Sequence, residues 1–170
     1  LMDPVANLGG LRSLPNGNAV FIVNRSELWV TDGTAAGTQL LAQSVTPRGA
    51  LTELGTLPDG RLAVSFTGIP AAEIWVTDGT GSGTVRLQGS ALDGLLSVSG
   101  SLGQLGDGRI LFGAADSSHG RELWVTDGTA AGTQLVKDIN TSGHSLLRDT
   151  GFTATLDGRV LFTANDGSNG

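Results

Sequence analysis

The 170-residue chain holds 27 glycines, no cysteine and no tyrosine, with 10 Lys and Arg against 16 Asp and Glu for a net charge of −6. One domain of this length can bury a core unaided, and 39% hydrophobic against 15% charged residues speaks against disorder. The acidic balance weighs against a nucleic-acid partner, the lack of cysteine removes disulfides and thiolate zinc sites, and no apolar run approaches the ~18 residues of a membrane span. Abundant glycine argues against long helices, since each costs about 1 kcal/mol relative to alanine. No charged-then-apolar leader opens the chain, and Leu1 ahead of Met2 suggests a start inside a longer product.

The chain repeats itself. Glu27–Thr38 reads ELWVTDGTAAGT, Glu73–Thr84 reads EIWVTDGTGSGT, and Glu122–Thr133 returns to ELWVTDGTAAGT. The three tryptophans, Trp29, Trp75 and Trp124, fall one per copy at separations of 46 and 49 residues. A second marker precedes each copy and occurs once more near the end. It is Asn16-Gly17 before AVFIV, Asp59-Gly60 before RLAVSF, Asp107-Gly108 before RILFGA, and Asp157-Gly158 before RVLFTA. A single domain 1–170 thus divides into units 8–45, 50–89 and 97–140 and a half unit 150–165.

Each unit predicts four short strands. The first precedes the Asn/Asp-Gly pair, as in Leu8–Leu14 and Gly151–Leu156, and the pair itself predicts a type I′ hairpin turn. The second is Arg109–Ala114 and its equivalents, followed by a variable loop such as Asp116–Gly120. The third is Glu122–Thr126, and Asp127–Thr133 leads to the fourth, Gln134–Ile139. Short antiparallel strands repeating every ~45–50 residues predict an all-β fold, a β-propeller of four-stranded antiparallel blades with about three and a half blades in this chain. A parallel β-helix is the other β-repeat with a comparable look, but tight turns between successive strands imply antiparallel pairing. One register places Phe21 opposite Trp29, Val64 opposite Trp75 and Phe112 opposite Trp124. It also brings Arg61 to Asp78 and Arg109 to Asp127.

Several repeated residues have a chemical and a structural reading. Trp29, Trp75 and Trp124 could be stacking platforms for a sugar or base, or wedges between neighbouring blades, as expected where a repeat array builds its shared core. Asp32, Asp78 and Asp127 could ligate calcium with Thr hydroxyls and carbonyls, or hold their own loops by accepting backbone N–H groups. Each loop brings one carboxylate where strong calcium loops bring several, so no cofactor is expected. Glu27, Glu73 and Glu122 could ring a channel mouth, or accept hydrogen bonds from neighbouring loops, with Arg121 a candidate donor. His119 and His144 do not recur, and His119 with Asp116 makes an incomplete site for metal or acid–base chemistry. No Walker loop, GxSxG elbow or HExxH helix is present.

In its three E-[LI]-W-V-T-D-G-T-x-x-G-T segments the chain resembles the bacterial ELWxxDGT-repeat family. The resemblance spans nearly the whole chain and is weakest in 1–7, 44–50 and 90–100. It implies repetitive propeller-like folds in large secreted or surface proteins, hence an extracellular or cell-surface location and no catalytic residues to carry over. The spacing from Asp116 through Gly120 to Trp124 is too wide for the sialidase-type Asp-box. The function expected first is a non-enzymatic structural, adhesive or interaction scaffold, paired with other copies of itself or the remainder of a larger propeller. A lectin-like module binding a glycan or protein on its variable loops is the alternative, and a carbohydrate-active enzyme with two carboxylates ~5–10 Å apart is a third.

Overall fold

The computed structural model describes residues 8–44, 49–68, 71–89, 92–146, 152–155 and 157–169. Readings that fall on Leu1–Asn7, on most of the connector 44–50, on Ser90 and Ala91, on part of the loop 68–72, and on the edges of the first strand of the last unit lie outside them.

The described residues form strands and no helix. In chain order the strands are β1 (Leu8–Ser13), β2 (Ala19–Val23), β3 (Glu27–Thr31) and β4 (Gln39–Gln43); β5 (Ala50–Thr56), β6 (Leu62–Thr67), β7 (Glu73–Thr77) and β8 (Val85–Arg86); β9 (Leu95–Gln104), β10 (Ile110–Asp116), β11 (Gly120–Thr126) and β12 (Gln134–Lys137); and β13 (Phe152–Ala154) with β14 (Val160–Phe162). They make three four-stranded meanders and one two-stranded sheet, each joining sequence neighbours. Every pairing is antiparallel. The aromatic register of the sequence is the observed one: Phe21 pairs with Trp29, Val64 with Trp75 and Phe112 with Trp124.

The turn between the first two strands of each unit differs from the type I′ expectation. Leu14 N–H donates to the Asn18 carbonyl (2.8 Å) and Gly17 N–H to the Leu14 carbonyl (3.0 Å), and the same pair of bonds recurs around Leu57, Leu105 and Thr155. Only the glycines, Gly17, Gly60, Gly108 and Gly158, have positive φ there; Asn16, Asp59 and Asp107 do not. These are three-residue loops, a type I turn closed by a left-handed glycine. The Asn/Asp at the second loop position accepts the N–H two residues on, as in Asp59 Oδ1 from Arg61 (3.0 Å), which stabilises the right-handed turn. The left-handed pair instead lies between β2 and β3, at Asn24 and Arg25 (φ 53° and 63°).

Side-chain alternation gives each sheet two apolar faces, and neighbouring sheets share them. Val20, Leu28, Val30 and Ala42 of the first sheet pack with Leu51, Leu62, Val64 and Phe66 of the second. The opposite face of the second, Ala63, Ile74, Val76 and Leu87, packs with Ile110, Phe112, Ala114 and Trp124 of the third. The far side of the third, Leu111, Leu123 and Val125, meets Phe152, Val160 and Phe162. The core is therefore a row of layers between sheets. The turns lock the row: Asn16 Nδ2 donates to the Asp78 carbonyl of the next unit (2.7 Å), and Gly106 N–H to the Gly158 carbonyl (2.8 Å).

Candidate functional site

Each repeated loop at the end of the third strand is a closed hydrogen-bond circuit. In the third unit Asp127 Oδ1 accepts both the Thr129 N–H (2.8 Å) and the Thr129 hydroxyl (2.7 Å). The Thr129 hydroxyl accepts the Gly132 N–H (3.0 Å), the Thr133 hydroxyl donates to the Thr129 carbonyl (2.6 Å), and the Thr126 hydroxyl pairs with Thr133 (2.6 Å) and accepts the Gly128 N–H (3.0 Å). The circuits at Asp32 and Asp78 are the same. The threonine hydroxyl and amide hold all three carboxyls below the ordinary aspartate value. This contribution to stability is complete above the ordinary value and is lost as pH falls through the depressed one.

The motif's last glycine is required by contact. A Cβ on Gly37, Gly83 or Gly132 would fall inside the carboxylate of Asp32, Asp78 or Asp127. Gly132→Ala is therefore expected to lower unfolding stability by about 1–3 kcal/mol, measurable by urea titration. A loss no larger than that of an exposed-surface change would contradict the contact.

The three aspartates are engaged within their own loops. Among the described residues, no three His, Cys, Asp or Glu side chains stand together as a metal site needs. Arg61 and Arg109 do not make their closest contacts to the expected aspartates. Each guanidinium Nε pairs with the aspartate two residues earlier, Asp59 at 2.7 Å and Asp107 at 2.8 Å. Arg61 Nη1 continues to the Gly128 carbonyl of the next unit at 3.4 Å. The intervening Gly places the turn carboxylate beside the guanidinium, which leaves Asp78 and Asp127 only a longer-range attraction to Arg61 and Arg109.

The glutamates diverge although their motif is the same. Trp29 Nε1 donates to Glu27 (2.9 Å) and Trp75 Nε1 to Glu73 (3.0 Å), with Arg86 also on Glu73 at 3.3 Å. Glu122 is fully buried and turns instead to the connector after β12. It accepts the Ile139 N–H (3.0 Å), the Ser145 N–H (2.9 Å) and the Ser145 hydroxyl. Trp124 Nε1 is consequently buried with no hydrogen-bond partner. Arg121, beside Glu122, joins the same connector through its backbone: its carbonyl accepts Leu146 N–H (3.2 Å) and its N–H donates to His144 Nδ1 (2.7 Å). The tryptophans diverge too. Trp124 is a wedge between sheets, Trp75 is half-buried against the layer between the first two sheets and edge-on to Phe66 (centroids 6.0 Å apart), and Trp29, also half-buried, lies on the outer face of the first sheet.

The third unit's variable loop carries a chemically mixed cleft of about 350 Å³, lined by Gly94, Asp116–His119, Trp124 and Leu135. Asp116 accepts the Ser118 and His119 N–H groups (2.8 and 2.7 Å) and contacts His119 Nδ1 at 2.8 Å. Partial burial alone would raise the Asp116 carboxyl, but the His119 and Ser118 bonds hold it below the ordinary range. The Asp116 hydrogen bond in turn raises His119, with Asp138 and Glu122 adding attraction. The raised imidazole stabilises the fold below the ordinary histidine value, and that contribution is lost as pH rises through the folded value. NMR titration is expected to place the His119 midpoint above that of an unperturbed histidine and to lower it in Asp116→Asn; an unchanged midpoint in the variant would exclude the pair.

The sequence missed the Thr31–Thr38 type of hydroxyl pair and the role of Ser145. The first had a signal, since both threonines recur in every copy. The second had none, because the connector does not repeat. Compared with known protein families and with curated proteins, the chain matches none.

Proposed function

We propose that the chain is a non-enzymatic repeat scaffold of propeller type, its sheets acting as blades whose purpose is to hold one another and present variable loops. The observation that carries this reading is the sameness of the interior against the difference of the loops. Successive units meet through the same device at two junctions, Leu14 over Gly79 and Leu57 over Gly128, while the β2–β3, β6–β7 and β10–β11 loops differ in sequence. Repeat arrays draw stability from such nearest-neighbour interfaces, and loops on a rigid scaffold carry recognition. The resemblance to ELWxxDGT repeats adds a secreted or cell-surface setting. The three aspartates act in this reading as loop staples rather than calcium ligands, since the Oδ1 that would face an ion is already held by two donors in each loop.

A second, lectin-like reading has the 350 Å³ cleft at Asp116–His119 in its favour, where Ser117 and Ser118 stand beside an imidazole and an apolar wall. The cleft lining supplies one carboxylate, Asp116, which is short of the pair that glycoside hydrolysis uses. A glycan array with the wild type and Asp116→Ala separates these readings. The scaffold reading expects no glycan retained. A glycan held by the wild type and released by Asp116→Ala replaces it with the lectin-like one.

A further inference from the structure

The outer face of the first sheet repeats, position for position, the faces that are covered in the second and third. Leu62, Val64 and Phe66 of β6, and Ile110, Phe112 and Ala114 of β10, are buried under the preceding sheet. Their equivalents on β2, Ala19, Phe21 and Val23, are only half-buried and belong to no core layer among the described residues. Leu11 and Leu40 of the same sheet are exposed, and a hollow of about 520 Å³ opens beside Phe21 and Thr31. An apolar face of this kind on a folded chain marks an interaction surface.

The glycines of the first unit show what shape is missing. Gly79 and Gly128 lie tightly under Leu14 and Leu57 of the preceding unit, whereas Gly33, at the same place in the first unit, has open space above it among the described residues. Gly60, Gly108 and Gly158 lie against Pro15, Pro58 and Gly106 of the preceding turn, and Gly17 again meets nothing among the described residues. Both seats on the first unit have the form that a preceding unit of this repeat fills.

The complementary surface is on the same molecule, at the other end of the row. Val20, Ala63 and Leu111 occupy the position that faces the following sheet and are all buried, while their equivalent on β14, Leu161, is 62% exposed. Arg159 is exposed and pairs with Asp157 at 3.2 Å, the arrangement from which Arg61 reaches the next unit's Gly128 carbonyl. We infer that the outer face of β1–β4 docks a second copy of this chain, which seats its β13–β14 sheet there head to tail. Arg159 of that copy reaches the carbonyl of Gly33. Such a contact is heterologous, so copies either close into a ring or extend as a row. The inference rests on the stacked-scaffold reading above.

Light scattering across a concentration series tests it, with circular dichroism as the check of folding. The wild type is expected at twice the 17.3 kDa chain mass or a higher multiple. Phe21→Arg and Leu161→Arg, each spoiling one of the two faces, are expected to fold and to run as single chains. Mixed together they are expected to form a one-to-one pair, because each retains the face the other lacks. A wild type of single-chain mass at every concentration would overturn the inference. So would a Leu161→Arg variant as associated as the wild type, which would mean that the first sheets pair with each other. Val64→Arg separates the two levels of the argument: if it unfolds the chain while the wild type is monomeric, the docking fails and the stack stands, and if it folds normally the stacking reading itself fails.

Discussion

Trp124→Ala is expected to destabilise the protein by about 3–5 kcal/mol, and Trp29→Ala by about 1–2 kcal/mol. The two residues share a motif, a strand position and a cross-strand partner type. They differ in what lies on the other side. Trp124 is 2% exposed within the layer that Leu54, Ile74, Val76 and Leu95 build between the second and third sheets. Truncating it opens a cavity that two sheets would have to close together. Trp29 has no sheet over it among the described residues, so water fills the space its indole leaves. Trp75, half-buried and edge-on to Phe66, is expected to fall between them. Urea titrations of the three variants at low protein concentration check the order; equal losses at Trp29 and Trp124 would contradict it.

The second large effect is expected at Glu122. Glu122→Ala removes the acceptor of two backbone N–H groups and a buried serine hydroxyl, leaving Ile139 and Ser145 unpaired inside the protein. Leaving such groups buried and unpaired costs about 3–5 kcal/mol in total, at ~1–3 kcal/mol each with partial recovery by relaxation. Glu122→Gln retains one accepting oxygen and turns an NH2 group toward donors, so it is expected to lose about 1–3 kcal/mol. The same alanine change at Glu27 or Glu73 is expected to cost under about 1 kcal/mol, because water reaches those half-buried groups. Melting and urea curves for the set check the contrast, and a Glu122→Ala variant as stable as Glu27→Ala would sink the account of the connector.

The sheets were legible because β-strand alternation has only one free variable once a hairpin is recognised. Setting Phe112 opposite Trp124 fixes every other pair on β10 and β11, down to Asp116 opposite Gly120. The turn type was less legible because Asp-Gly serves both the two-residue type I′ turn and the three-residue loop with a left-handed glycine. The choice falls to loop length, which Leu14 N–H bonding to the Asn18 carbonyl reveals only in three dimensions. The partner of Arg109 is legible only in part for a related reason: cross-strand register brings Arg109 opposite Asp127, while its long guanidinium settles on the nearer carboxylate, Asp107.

The functional residues were harder. Three near-identical motifs, ELW twice and EIW once, invite one role for each glutamate, yet Glu122 is drawn to a non-repeating segment and abandons its tryptophan. The cleft at Asp116 and His119 likewise belongs to a loop that occurs once. Repetition in sequence reports on what the units share, which is the stack. It is silent on what distinguishes one unit from the next.

The stack itself is tested most directly by the solvent exposure of the three indoles, read in one NMR sample of Leu161→Arg, a change remote from all three, with a soluble paramagnetic agent. The indole N–H signal of Trp29 is expected to broaden most, that of Trp75 less, and that of Trp124, whose Nε1 is shut off from solvent, least. Equal broadening of all three, or a Trp124 signal that vanishes first, would mean that the sheets do not cover one another as described.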